Sequence, residues 1–404
     1  MTKRLLAFAI AIMMVAMLAV GCVQTPATPQ NTNSPADSSQ PENSNEPAQA
    51  GNDDVKYKDT IIFATATEQN YMDGQMNNTN DMVLRTVYSS LVMRDSENNI
   101  VGDLADHWET SEDGRVWTFY LRQDVKWHNG KQFTSADVKA SYDRLLNAEN
   151  PVRYTSTMSI ITGCNVVDDY TIELTTADPC PMMLATLCHR ANLILDADYI
   201  EKYGTELGLT AESCNGTGPY VLKQWDMGEQ MVFEAFHDYF KGEAPTKNLI
   251  IQVMPEASSR AVALETHEVD MAEGCSSQDV LRFMEEGADM GIVVNFYPYQ
   301  GLHGFQFNCA HPIIKDTKIR QAISYAIDRE AMIDALYAPI GEYCATAPLS
   351  EVVWGYYNFG VIKQDLEKSK QLLAEAGYPD GFEFSIQVNE GYNNALASAE
   401  MIVA

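Results

Sequence analysis

Positive charge is the first thing this sequence lacks. Lysine and arginine number 27 against 56 aspartates and glutamates, a formal net charge of −29. Such a surface repels nucleic-acid phosphates and anionic lipid headgroups, which argues against a nucleic-acid reader. Long apolar runs are also scarce, and beyond the N-terminus none could span a bilayer. Cysteines at C-x-x-C spacing are missing, so neither a zinc ribbon nor a thioredoxin-like motif is supported. There is no G-x-S-x-G elbow and no P-loop. His267-Glu268 is followed by Val269-Asp270-Met271, which is not H-E-x-x-H, and the histidines lack helical metal spacing. Asn215-Gly216-Thr217-Gly218 carries phosphate-loop glycines, but Pro219 interrupts the backbone donors and no lysine follows in register, so it reads as a structural turn. Asp168-Asp169 reads as a solvated pair beside a turn. No catalytic residue, metal site or cofactor is assigned; distant carboxylate pairs of glycosidase type leave no local motif.

What is present begins at the N-terminus. Lys3 and Arg4 precede an uninterrupted apolar run over residues 5–20, ended by Gly21-Cys22. Charge, short apolar stretch and small residues are the order of an export signal. The segment resembles a bacterial lipoprotein signal, with Leu18-Ala19-Val20-Gly21-Cys22 as lipobox, although Ala19 stands where leucine is usual. An ordinary signal peptide with a chance cysteine, or an uncleaved anchor, is the competing reading. Acyl chains on Cys22 would hold a soluble body at a membrane, each buried methylene contributing about 0.8 kcal/mol. Residues 23–54 are rich in Pro, Asn, Ser, Gln and Ala and nearly devoid of large apolar side chains, the composition of a flexible tether. Seven further cysteines form an odd set and are expected mostly as buried free thiols.

The remainder of the 404-residue chain, 46% hydrophobic overall, is long enough for two or three domains. Residues 60–66 are β-prone. Residues 77–94 read as a helix, with Met82, Val83, Val87 and Leu91 near one face. Trp117, Phe119 and Leu121 alternate with Thr118, Tyr120 and Arg122 after an Asp113-Gly114 turn, a half-buried strand. Residues 134–146 read as a capped helix, residues 171–175 as a strand, and another strand starts at Tyr220. Asp316 and Asp365 are N-caps for two amphipathic helices, the second closed by Gly377. His303 and His311 flank an apparent strand. Residues 393–404 read as the opening of a helix without a closing signal, so the chain is expected to be truncated. Irregular alternation of strands and helices implies mixed α/β domains. The five tryptophans and 20 tyrosines could line a cleft, but most sit in strand-like segments and are expected in the core.

Residues 104–144 read LADHWETSEDGRVWTFYLRQDVKWHNGKQFTSADVKASYDR. This block closely resembles the extracellular solute-binding proteins of the oligopeptide/dipeptide/nickel class, family 5, of ABC importers. Further blocks follow in the family's order: Gly216-Thr217-Gly218-Pro219-Tyr220, His237-Asp238-Tyr239-Phe240-Lys241-Gly242 with Pro245, the run 319–329 (IRQAISYAIDR), and Ala374-Glu375-Ala376-Gly377-Tyr378. The resemblance implies a two-lobed, periplasmic-binding-protein-like α/β fold (type II, cluster C) with an extra inserted domain, incomplete at the C-terminus. Its expected plan is a signal peptide at 1–21, a lipidated linker at 22–56, a discontinuous first domain at 57–90 and 196–300, an inserted second domain at 91–195, and a hinged third lobe at 301–404.

The resemblance also implies function: capture of a peptide or similar small solute between lobes, and delivery to an ABC permease with its ATPase subunits, by a monomer anchored outside the cytoplasm through Cys22. It places residues 71–80 at the ligand, with Tyr71, Asn77, Asn78 and Asn80 as candidate contacts through backbone-like hydrogen bonds. His303 and Phe305, near the crossover into the third lobe, complete the candidate set. The acidic residue by which peptide-binding members hold a ligand's amino terminus would lie beyond residue 404. A surface peptide sensor or adhesin shares the fold, and a tethered hydrolase is the enzyme alternative.

Overall fold

In the computed structural model, residues 56–296, 302, 304–336, 344–351, 353, 355–388 and 395–403 are described. A five-stranded sheet has the order β11-β1-β10-β9-β8. Its strands are β1 (Thr60–Thr65), β8 (Tyr220–Asp226), β9 (Gln230–Ala235), β10 (Asn248–Val253) and β11 (Met271–Ala272). β1 runs parallel to both neighbours, pairing Thr60 with Asn248 through Thr65 with Val253, and Phe63 with Met271. Alternation sends successive β1 side chains to opposite faces. Phe63 packs with Val83, Leu84, Leu222 and Phe233, while Ala64 packs with Ala263 and Val269 on the other side. Both faces of β1 are therefore covered, as a parallel strand requires.

A second, antiparallel sheet has the order β4-β5-β7-β6, formed by β4 (Ala105–Thr110), β5 (Val116–Leu121), β6 (Ile161–Asp168) and β7 (Thr171–Thr176). Trp117 pairs with Leu174 and Phe119 with Ile172, all facing inward. The helix Ser135–Leu145 lays Val138, Tyr142 and Leu145 on that face. Its N-terminus is a capping box: the Thr134 side chain takes the Asp137 backbone N–H, and the Asp137 carboxylate takes the Thr134 N–H. A short hairpin of β2 (Val92–Arg94) and β3 (Ile100–Gly102) precedes β4.

This second core draws on residues from Leu91 to Ile194, whereas Leu193 and Leu195 belong to the first. The chain crosses between the two bodies there, and the outgoing and returning strands pair: Ser90 bridges Leu193, and Ile194 N–H donates to Ser89 O at 2.9 Å.

The long helix expected over 77–94 is shorter. It spans Asp81–Val87, capped by Asn80. Tertiary contacts end it: the Gly218 N–H donates to the Val87 carbonyl at 2.8 Å, and Leu91 leaves for the second core. Gly216 and Gly218 are required here by approach rather than by backbone angle. A Cβ on Gly216 would meet Val87 O at 1.8 Å and one on Gly218 would meet Thr86 O at 2.8 Å.

Among the described residues from 302 onward there are helices Thr317–Ala326, Arg329–Leu336, Leu366–Glu375 and Ala395–Val403, and no strand. The strand expected between His303 and His311 is absent over 304–310, which is irregular. Asp316 and Asp365 cap as expected, accepting from Lys318 N–H and Lys368 N–H. Gly377 adopts φ +89°, the left-handed residue that closes the helix Leu366–Glu375. No helix among the described residues is long and apolar enough to cross a membrane. Among the tryptophans, Trp117 and Trp127 are buried; Trp354 lies outside the described residues.

Candidate functional site

The parallel arrangement of β1, β10 and β11 brings their carboxyl ends to one edge of the sheet, where α/β proteins build ligand crevices. Backbone carbonyls at such an edge need donors. Arg260, buried in the helix Ala257–Glu265, supplies them. Its guanidinium donates to the carbonyls of Met254, Pro255, Glu273 and Gly274, tying the ends of β10 and β11 together.

The loop 66–80 passes over this edge, and its shape is imposed by buried polar side chains. Gln69 donates to Asn80 O at 2.7 Å and accepts from Asn80 N–H at 3.0 Å. Asn77 donates to Tyr71 O and accepts from Thr79 N–H at 2.7 Å. Side chains from the helix Ser135–Leu145 and from residues 154 and 190 clamp the loop from outside. Arg144 pairs with buried Asp73 at 2.6 Å and donates to Gln75 Oε1 at 2.9 Å. Arg190 donates to Asn77 Oδ1 and, at 2.7 Å, to Thr79 O. Tyr154 donates to Asn77 O at 2.8 Å. Gly74 permits this closeness, since a Cβ there would sit 2.2 Å from Arg190 O.

The expected ligand residues fall into different environments. Asn77 is fully buried and both ends of its amide serve the protein, so it reaches a ligand only through the backbone it fixes. Asn80 splits its amide: Oδ1 caps the helix at Met82 N–H, and Nδ2 donates to Glu273 at 3.2 Å. Asn78 is exposed and accepts from Asn70 at 2.7 Å. Tyr71 is half-buried, and Phe305 is exposed. His303 and Cys22 lie outside the described residues. Sequence reasoning missed Gln69, Arg190, Arg260 and Glu273, none of which belongs to a legible motif. Arg144 stood in the 104–144 block without an assigned role.

A second polar centre braces the junction. Lys131 reaches Asp137 at 3.1 Å, Asp196 at 2.8 Å and Asp198 at 3.0 Å, and Asn215 donates to Asp196 at 2.6 Å. His128 bonds the segment after β5 to the Gly216-Thr217-Gly218 segment. Its Nε2–H donates to Gly218 O at 3.0 Å and its Nδ1 accepts from Gly216 N–H at 3.3 Å, the pattern of a neutral ring. Loss of hydration is the main cause that lowers its pKa to about 4.

The seven cysteines are all free, but only Cys164 and Cys180 are fully buried; Cys188, Cys214, Cys275 and Cys344 are half-buried and Cys309 is exposed. The expectation of mostly buried thiols is corrected accordingly. Burial pushes Cys164 and Cys214 up to about 12, which keeps both protonated and unreactive. No group of three or more metal-ligating side chains occurs among the described residues. A hollow of about 550 Å³ lined by Asp106, His107, Tyr120, Arg122, Asp124 and Tyr170 lies on the four-stranded sheet, and none of the loop residues lines it.

Comparison with known proteins agrees with this architecture. Residues 99–404 match the bacterial extracellular solute-binding proteins, family 5 (middle). The dipeptide-binding protein of Escherichia coli (strain K12) is 32% identical over 333 residues, which cover 76% of this chain and 61% of that protein. Heme-binding protein A of Haemophilus influenzae (strain ATCC 51907 / DSM 11121 / KW20 / Rd) is 32% identical over 346 residues, covering 79% and 62%. The chain thus spans about three fifths of the length of these relatives. Among solved structures, the ABC transporter-associated periplasmic binding protein DppA from Helicobacter pylori, in complex with the peptide STSA, superimposes with a TM-score of 0.73 at 27% identity, covering 85% of this chain and 72% of that one. The chain belongs to the family 5 bacterial extracellular solute-binding proteins.

Proposed function

We propose that this family 5 chain is the solute-capturing lipoprotein of an ABC importer, taking a peptide or similar small solute at the carboxyl edge of β1, β10 and β11. The observation that carries the reading is the loop 66–80. It spends buried Asn, Gln, Asp and Arg side chains on holding a surface segment over that edge, an arrangement a simple connection would not need. Pre-formed backbone of this kind can bind an extended ligand by hydrogen bonds to its main chain. Tyr71, Asn78 and Asn80 stand as ligand contacts, Asn77 as the residue that fixes their backbone, and His303 and Phe305 as contacts from the third lobe. Closure of that lobe follows if the closed form binds solute better than the open one. The protein then presents the loaded form to permease and ATPase subunits as a monomer.

Relatives differ in what their names say they bind, a dipeptide in one and heme in another. A thermal-shift screen of the full-length protein against peptides, nickel chelates, heme and oligosaccharides tests the capture reading. A rise in Tm with peptides is expected; a response only to another class reassigns the solute, and no response to any sinks the reading. Anchoring is tested separately. Cys22→Ala is expected to abolish fatty-acid labelling and release the protein from membranes, and labelling that survives excludes lipidation at Cys22.

A further inference from the structure

We draw no further inference here: the strongest candidate, the hollow of about 550 Å³ on the four-stranded sheet, is walled by surface side chains already paired with one another, Arg122 with Asp124 and His107 with Asp106, and nothing in the structure shows what covers it.

Discussion

The core around the four-stranded sheet and the segment from residue 302 onward make different use of similar helices. Around that sheet, Val138, Tyr142 and Leu145 of the helix Ser135–Leu145 are buried against Phe119, Trp127, Phe133, Ile172 and Leu174. In the later segment, the helices Thr317–Ala326 and Leu366–Glu375 pack on each other, yet Ile314, Ile319, Ala322 and Ala399 are the buried hydrophobic residues among those described. Phe305, Tyr357, Phe359, Leu366 and Leu396 stay exposed. Helix formation in the second region rests on local signals, the Asp316 and Asp365 caps and the glycine at 377. Helix formation in the first is locked by a core. A capped amphipathic segment thus declares itself as a helix in either setting, while its contribution to stability depends on what it meets.

That contrast can be broken by mutation. Phe119→Ala is expected to destabilise the protein by about 3–5 kcal/mol in urea unfolding, against less than about 1 kcal/mol for the half-exposed Leu373→Ala. Equal losses would refute the difference in packing. Arg144→Met leaves the buried Asp73 carboxylate without its partner and is expected to cost about 3 kcal/mol or more. The exposed Lys318–Glu375 pair in the later segment is expected to show no more than about 1 kcal/mol on Lys318→Met. The Arg144 variant should also weaken solute binding, because the same guanidinium holds Gln75 in the loop.

A smaller effect depends on pH. His128 has a folded pKa of about 4, below the ordinary value of 6.5, so the folded state favours the neutral ring. The unfolded chain therefore binds more protons between these values. Stability is fully present above about pH 6.5 and is lost as pH falls toward about 4, by at most about 3 kcal/mol. Urea titrations at pH 7 and pH 4.5 should show this slope in wild type, and His128→Gln should flatten it. The smallest expected effect is at a cap: Asp365→Ala should lower stability by about 1 kcal/mol. A larger loss would mean that the later segment is more tightly coupled to a core than its burial indicates.

Legibility in the sequence followed the range of the interactions. Period-two alternation located β5, because Trp117, Phe119 and Leu121 bury while their neighbours do not. Aspartate caps and Gly377 located helix ends, because capping is satisfied within a few residues. The helix expected over 77–94 failed for the opposite reason. Its pattern of Val83, Val87 and Leu91 was helical, but Val87 O was claimed by Gly218 and Leu91 by a different core. At the site, the asparagines of 77–80 were visible as polar residues of unspecified duty. Only their partners, Tyr71 O for Asn77, Met82 N–H for Asn80 and Asn70 for Asn78, divide them into a buried brace, a helix cap and an exposed side chain.

By itself, the sequence determined the family blocks, the acidic balance, the strand and helix signals and the candidate lipid anchor, since each depends on composition or on neighbours close in the chain. The tertiary structure alone decided that Arg144, Tyr154 and Arg190 shape the loop 66–80, that Arg260 ties two strand ends together, and that Glu273 meets Thr65 and Asn80. Those outcomes come from groups 60 or more residues apart, or from strand ends brought side by side by sheet order, and no local spacing encodes such a meeting.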